Sequence, residues 1–481
     1  MRIGYVLIFL TFALATEAQE TYSLQRAVQL ARQNNLNLKL AQNGLELARI
    51  DTRQADRAWH PNVSGSANLG VQFGRTIDPT TNEFNNQTIG FNSFGLNVGA
   101  TVYAGGSIRN NQRQARLNEQ ATEADIQAQE NNIAIDVAQA YLQVLLNEEQ
   151  LANARQRFSL TQAQLEQTEK LIRAGALPAN DSLDILAQLA LDQQSIVTSE
   201  NAIQLALVTL KQLMDVDPGA SIRLERVDIT DEIADANAAL ASFEEIYIAA
   251  LNTQPQIRAG ELSQEAATVG VDLARAGFLP TVSVFGGLST NWSSGFKDFA
   301  NPDTSNLEIV QGDPRPVIIG GIPTTLSQFE IEGLTFNNLG YFNQLNQNFG
   351  QNVGLAVQIP IYSRGNTRFS VERAELNARR QLIQNEQIKQ LLKADIQRAL
   401  ADARAAQRSL IASRRAVTAA QASFQNAQRQ YDLGVINTLV FAQARNALDQ
   451  AEINLTSARY QYVFSKKILD FYVGRPIRLE N

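Results

Sequence analysis

The stretch Phe94-Gly-Leu-Asn-Val-Gly-Ala-Thr-Val-Tyr103 decides the fold, because apolar residues alternate with polar or small ones and the pattern then changes. After Ala104-Gly-Gly106, the chain runs from Ser107 to Arg173 without proline or glycine. Alternation with a period of two predicts a strand. The uninterrupted segment predicts one helix of about 67 residues, about 100 Å long at about 1.5 Å per residue. Few folds place a strand directly before so long a helix.

The same order of patterns occurs again about half a chain later. Tyr103-Ala-Gly-Gly106 has a counterpart in Tyr362-Ser-Arg-Gly365, and Ala190-Leu-Asp-Gln193 has one in Ala447-Leu-Asp-Gln450. Both pairs are separated by roughly 260 residues, and self-similarity at such a distance indicates an internally repeated structure.

Two structural repeats are therefore predicted, over residues 19–240 and 241–481. Each contains a helix, two strands, a long helix, a tip turn and a return helix, and the first ends in an equatorial segment. The second repeat carries an insertion at 293–348, which is long for a connection between strands.

Residues 1–18 are predicted to be a secretory signal peptide. Arg2 supplies the positive charge, an apolar run follows, and Ala13-Leu-Ala15 or Thr16-Glu-Ala18 offers a cleavage site of small residues. The alternative, a membrane anchor, requires about 20 apolar residues, and this run is shorter.

Four segments alternate apolar and polar residues in the manner of strands. They lie at 62–75, 94–103, 281–292 and 349–361. Such strands occur in soluble sandwiches and in membrane β-barrels, but polar faces almost without charge and aromatic residues near the strand ends favour a barrel. Four strands are too few to close one, because the smallest membrane barrels have about eight. Two, three or four chains would supply enough strands, so an oligomer is predicted.

Helical patterns fill most of the remaining chain. A second long helix is predicted at 366–433, and shorter helices are predicted at 22–57, 180–214, 241–276 and 438–472. Two of the shorter helices placed end to end match one long helix, and the contact positions are rich in Ala and Gln. This arrangement favours the wall of a tunnel, while a solvated coiled coil is the alternative.

The composition excludes several classes of protein. The chain has 481 residues, a formal net charge of −7, no cysteine and one histidine. The acidic balance argues against a nucleic-acid partner. The shortage of histidine and cysteine argues against catalysis, cofactors and a metal site. His60, between Trp59 and Pro61, is interpreted as a polar residue at a membrane interface.

The whole mature chain resembles the TolC family of outer membrane efflux proteins. The resemblance rests on the doubled order of helix, strand, strand and helix, and on Pro61 and Pro280 at the start of the first strand of each half. It also rests on two glycine breaks, Leu171-Ile-Arg-Ala-Gly-Ala-Leu177 and Tyr431-Asp-Leu-Gly-Val-Ile436.

The resemblance implies a mixed fold, an all-α tunnel joined to a membrane β-barrel, with four strands and long antiparallel coiled-coil helices per chain. It further implies a homotrimer in the outer membrane that extends into the periplasm, with a periplasmic adaptor and an inner-membrane pump as partners. The implied function is passive conduction for efflux or for type I secretion. By the same resemblance, the insertion at 293–348 is expected to be extracellular and to narrow or cover the outer opening of the channel, and the alternative is a loop without a role. The rival interpretation is a secreted or periplasmic coiled-coil structural or adaptor protein without a pore.

Two sets of residues are assigned roles by this resemblance. The adaptor is expected to dock on apolar residues exposed at the glycine turns: Gly175, Ala176, Leu177, Gly434, Val435 and Ile436. A periplasmic gate is expected at Asp181, Asp184 and Tyr431. The second turn departs from the family pattern, since Val440 and Gln443 stand where the family has aspartates. Asp181 and Asp184 are therefore also interpreted as acids that stabilise a helix N-terminus.

Overall fold

The computed structural model describes residues 21–77, 84–86, 88–175, 178–226 and 240–475. The predicted signal peptide lies outside the described residues. Contacts between Cα atoms divide the chain into two compact units. The first contains the described residues before Arg53 together with 114–268 and those from Leu376 onward; the second contains 53–113 and 269–375.

Apart from two single 3₁₀ turns, the helices among the described residues range from 7 to 67 residues in length. The helices are α1 (Leu24–Asn34), α2 (Leu36–Asp56), α3 (Ser107–Arg173), α4 (Asp181–Met214), α5 (Phe243–Thr253), α6 (Pro255–Arg275), α7 (Tyr341–Gln347), α8 (Asn366–Asp432) and α9 (Thr438–Tyr472). The two predicted long helices are confirmed, and each has 67 residues. None of the described helices is long and apolar enough to cross a lipid bilayer.

The first helix of each half is broken, so the single helices predicted at 22–57 and 241–276 are wrong. Both breaks follow 11 helical residues and precede 21 more. In the first half, Asn35 leaves the helical conformation, and its side-chain oxygen accepts hydrogen bonds from the amides of Asn37 and Leu38. In the second half, Pro255 begins the new helix, a position where its missing N–H costs nothing.

The described strands are β1 (Thr21–Tyr22), β2 (Asn62–Gln72), β3 (Thr76–Ile77), β4 (Phe84–Asn85), β5 (Ile89–Ala104), β6 (Arg223–Leu224), β7 (Thr281–Ser293), β8 (Lys297–Asp303), β9 (Glu308–Ile319), β10 (Ile322–Glu332), β11 (Thr335–Asn338) and β12 (Gly350–Gln358). The four predicted strands are confirmed as β2, β5, β7 and β12. They form one antiparallel sheet in the order β12-β7-β5-β2, to which each half contributes two neighbours.

The repeated Tyr103 and Tyr362 motifs form the turns that lead from strand to long helix. In each turn two consecutive residues have positive φ: Gly105 and Gly106 at 60° and 85°, and Arg364 and Gly365 at 52° and 79°. A Cβ atom on Gly105 would lie 2.6 Å from Cβ of Leu279, so the first turn excludes any larger residue there.

Two buried apolar clusters lie among the described helices of the first unit. One joins α1, α3, α4, α8 and α9 around the fully buried Tyr141, and the other joins α5, α6, α8 and α9 around Ile396. The Tyr141 hydroxyl lies 3.0 Å from the carbonyl oxygen of Tyr22 and 2.7 Å from that of Glu225. These carbonyls adjoin the paired strands β1 and β6, so Tyr141 ties the first residues described to the segment after α4.

The insertion at 293–348 has regular structure. β8 pairs with β11, and β9 pairs with β10 inside them, so residues 297–338 form one two-stranded ribbon. α7 follows the ribbon, and its buried Gln344 donates hydrogen bonds to the carbonyl oxygens of Ser293 and Leu339. The root of the ribbon is therefore fastened to the end of β7.

Candidate functional site

The turn between α8 and α9 is built around Gly434. Its φ is 70°, its amide donates to the carbonyl of Tyr431 over 2.9 Å, and the next amide, of Val435, donates to the carbonyl of Gln430 over 2.9 Å. This pair of bonds is a Schellman motif, which ends a helix on a left-handed residue. Asn437 then caps α9 by accepting from the amide of Val440.

The apolar residues at this turn differ in exposure. Leu433 and Val435 are exposed, whereas Ile436 is half-buried, so the expectation that Ile436 is an exposed contact is not met. Leu433 carries an exposed apolar surface that the sequence analysis did not select.

The turn between α3 and α4 is the counterpart. Gly175 has a φ of 73°, and its amide donates to the carbonyl of Ile172 over 2.9 Å. No atom beyond its chain neighbours lies within 4 Å of the position of a Cβ on Gly175, so conformation rather than space requires glycine. Ala176 and Leu177 lie outside the described residues.

Of the three predicted gate residues, Asp184 and Tyr431 both lie beside Phe441, and Asp181 lies about one turn before Asp184. Asp181 and Asp184 lie in the first turn of α4, where negative charge is favourable. Asp184 lines a small cavity of about 30 Å³ beside Phe441 and Arg445. The ring of Tyr431 stacks on Phe441 with centroids 4.8 Å apart, and its buried hydroxyl has no hydrogen-bond partner among the described residues.

A buried polar network lies further from the turns. Arg445 of α9 donates from Nη1 to Oε1 of Gln164 over 3.1 Å and from Nη2 to the carbonyl oxygen of Arg157 over 3.0 Å. Arg445 is 8% exposed, so its charge is taken almost wholly from water. It lies seven residues after Thr438, where α9 begins, about 10 Å along the helix. The network therefore joins α9 to α3 about two turns from the start of α9.

Both aspartates of the duplicated Ala-Leu-Asp-Gln motif belong to this network. Asp192 of α4 is buried and accepts hydrogen bonds from Thr161 and Gln188. Asp449 of α9 is half-buried and interacts electrostatically with Arg157, Arg445 and Asp192. The duplication was assigned no role from the sequence; the recurrence of an aspartate in both copies is the signal that could have pointed to the network.

Part of this network borders a cavity of about 420 Å³ between α3, α8 and α9. Its polar side carries Arg157, Arg445 and Asp449, and its aromatic side carries Phe424 and Tyr431. Phe441 stacks between Phe424 and Tyr431, with centroids 5.6 and 4.8 Å away. The cavity therefore lies directly beside the network.

Burial raises the pKa of the Asp449 carboxyl to about 6, against the opposing effect of Arg157 and Arg445 and with a further rise from Asp192 and Glu452. A raised pKa in the folded chain means that folding favours the protonated form. The cost of the charged carboxylate is therefore absent below about pH 4 and complete above about pH 6.

Asp449→Asn is expected to raise the melting temperature at neutral pH, because the amide removes the buried charge. The gain has an upper limit of about 3 kcal/mol and is reduced by the water that reaches the half-buried carboxylate. Thermal unfolding of the variant and the parent protein between pH 4.5 and 7.5 checks this. The gain should grow with pH and level off above about pH 6; a constant difference would contradict the assignment.

The chain combines two 67-residue helices that end in glycine turns with one open antiparallel sheet of four strands. This combination is typical of the class of envelope channels with a helical tunnel. The sequence matches the family described as outer membrane efflux protein over residues 27–215 and 246–475, and the chain belongs to this family. It is an efflux channel of the outer membrane that extends into the periplasm. Members of the family are channels rather than enzymes.

Individual relatives agree with this assignment. The cation efflux system protein CusC of Escherichia coli K12 is 24% identical over 438 residues, which is 89% of this chain and 81% of CusC. The outer membrane efflux protein BepC of Brucella suis is 22% identical and covers 96% of this chain and 87% of BepC. The crystal structure of VceC from Vibrio cholerae has a TM-score of 0.73 at 17% identity, covering 95% of this chain and 97% of VceC, and shows the shared fold.

Proposed function

We propose that three copies of the chain form the outer duct of a tripartite export assembly, with a periplasmic adaptor and an inner-membrane pump as partners. The main support for this proposal is the open sheet, because no strand of the described chain pairs with the outer edge of β2 or β12. Open strand edges are not tolerated in lipid, and four strands cannot close a barrel. Pairing of β12 with β2 of the next copy satisfies both edges.

The helical unit supports the same assembly. Helix α4 exposes a stripe of large apolar residues on one face: Leu183, Leu186, Leu191, Val197, Leu205 and Val208. At about 100° per residue, these six side chains fall within about half of the helix circumference. A stripe this long on a single chain indicates a contact with another copy.

We further propose that the glycine turns are the docking surface for the adaptor and that the residues above them close the duct. Leu433 and Val435 supply exposed apolar side chains beside Gly434, and Gly175 stands at the corresponding turn. Tyr431 and Asp184 line cavities that Arg445 also borders, and Asp181 precedes Asp184 by about one turn of α4. A change in packing there would widen the duct.

The assembly is tested with protein extracted from outer membranes in detergent. We expect a mass of three chains, stepwise conductance in planar bilayers and loss of export in a strain without the gene. Sensitivity to drugs, bile acids and metals, measured beside the amount of secreted protein, identifies the cargo class and separates efflux from type I secretion. A monomer without conductance would refute the proposal.

A further inference from the structure

The ribbon of residues 297–338 has two chemically different faces where residues 308–311 pair with residues 329–332. Residues that lie directly opposite each other in neighbouring strands project to the same side. One side carries Ile309 opposite Ile331, and Phe329 opposite Gln311. The other side carries Glu308, and Val310 opposite Glu330. This part of the ribbon is therefore amphipathic, which is typical of a strand pair that packs one side on another surface.

The apolar side is uncovered in the single chain. Ile309, Phe329 and Ile331 are 75%, 70% and 68% exposed. A hairpin of only two strands is marginally stable in water without a surface to pack on. The regular pairing through ten residue pairs of β9 and β10 thus indicates that the native assembly covers this face.

The charge of the ribbon argues against a lipid surface as the covering partner. Its charged residues are Lys297, Asp298, Asp303, Glu308, Asp313, Arg315, Glu330 and Glu332. Six acids and two bases give the ribbon a net charge of −4. Anionic lipid head groups attract basic segments and repel acidic ones.

Topology places a different surface next to the ribbon. The ribbon joins β7 to β12, and the segment with β3 and β4 joins β2 to β5. Because the sheet is antiparallel, both connections leave from the same end. β12 and β2 are its opposite edges. When β12 of one copy pairs with β2 of the next, the ribbon stands beside the next copy's connection.

The described part of that connection offers matching chemistry. Phe73, Ile77 and Phe84 are exposed, and the guanidinium of Arg75 lies 5.2 Å from the centre of the Phe84 ring. Apolar rings can pack on the apolar side of the ribbon, and Arg75 brings a positive charge to its acidic strands. The chain's own copy of the connection leaves the ribbon face exposed, so it does not supply this contact.

We infer that the side of the ribbon with Ile309, Phe329 and Ile331 packs on Phe73 and Phe84 of the next copy and fastens the protomers at the outer end of the barrel. This contact rests on the proposed trimer. The partner in this contact is a second copy of this chain. The contact does not involve the glycine turns at Gly175 and Gly434.

Cysteine pairs test the contact, because the chain has no cysteine of its own. The double variant Ile331→Cys with Phe84→Cys, oxidised in membranes, should give covalent dimers and trimers on non-reducing gels. Co-expression of the two single variants with different tags should give a dimer that carries both tags. The matched control is Glu330→Cys with Phe84→Cys, since Glu330 is the neighbouring residue on the opposite face, and it should remain monomeric on the gel.

Labelling with a membrane-impermeant maleimide decides among the other outcomes. In trimers, Ile331→Cys should be protected and Glu330→Cys should react. Equal labelling of the two variants in trimers, or links within single chains only, would overturn the inference while the proposed function stands. Protection on cells that disappears in purified trimers would assign the face to another molecule and also overturn it. A monomeric parent protein would overturn both proposals.

Discussion

Gly434→Asp is expected to abolish export while leaving the trimer assembled. Gly434 has a φ of 70°, and no atom beyond its chain neighbours lies within 4 Å of the position of a Cβ. The substitution is therefore strained only through the backbone, by about 1–2 kcal/mol, which a long helical assembly tolerates. The new carboxylate, however, stands among the exposed apolar side chains of Leu433 and Val435, where it opposes an apolar contact with the adaptor.

Gly434→Asn is the matched control, because asparagine has nearly the same shape, adopts left-handed φ and carries no charge. Export in the gene-deleted strain, measured as drug resistance, should return with Gly434→Asn and remain absent with Gly434→Asp. Size-exclusion chromatography checks the trimer in both variants. Full export by Gly434→Asp would remove the docking role from this turn, and equal loss in both variants would attribute it to backbone geometry.

Periodicity predicted those parts of the fold in which one rule extends over many residues. The 67 residues of α3 contain no helix breaker, so both of its ends could be located from the sequence. The helix breaks at Asn35 and Gln254 were not predicted, because each depends on a single residue. Asn35 caps a helix from inside a helical pattern, and Gln254 precedes Pro255, which is equally suited to opening a helix or to interrupting one.

The candidate site was predicted only where the chemistry is local. A left-handed φ at Gly175 and Gly434 follows from glycine after a long helix, and both are observed. The network around Arg445 depends on three helices that are distant in sequence, and an aspartate on an Ala-rich and Gln-rich helix is normally solvated. The ribbon was missed for a similar reason, since bulge and glycine interrupt its alternation between Glu308 and Glu332.

Arg445→Met is expected to loosen the tip of the duct and to raise its conductance. Methionine keeps most of the side-chain volume but loses both hydrogen bonds to α3, each worth about 1.5–3 kcal/mol when a charged group takes part. After the loss of Arg445, the positive charge of Arg157 remains to stabilise the Asp449 carboxylate. α9 can then move toward or away from α3 through the cavity beside Phe441.

The comparison with Arg155→Met isolates the effect of the buried network. Arg155 lies on α3 near Arg157 and forms an ion pair with Glu200 over 2.7 Å, but both side chains are exposed, and such pairs contribute about 0–1 kcal/mol. Arg445→Met should lower the melting temperature by several degrees and increase both bilayer conductance and entry of large hydrophilic antibiotics, whereas Arg155→Met should change none of these. If Arg445→Met lowers the melting temperature but leaves conductance at the parent value, the network stabilises the helices without closing the duct. Closure would then depend on Tyr431 and Phe441, whose stacked rings lie nearer the turn.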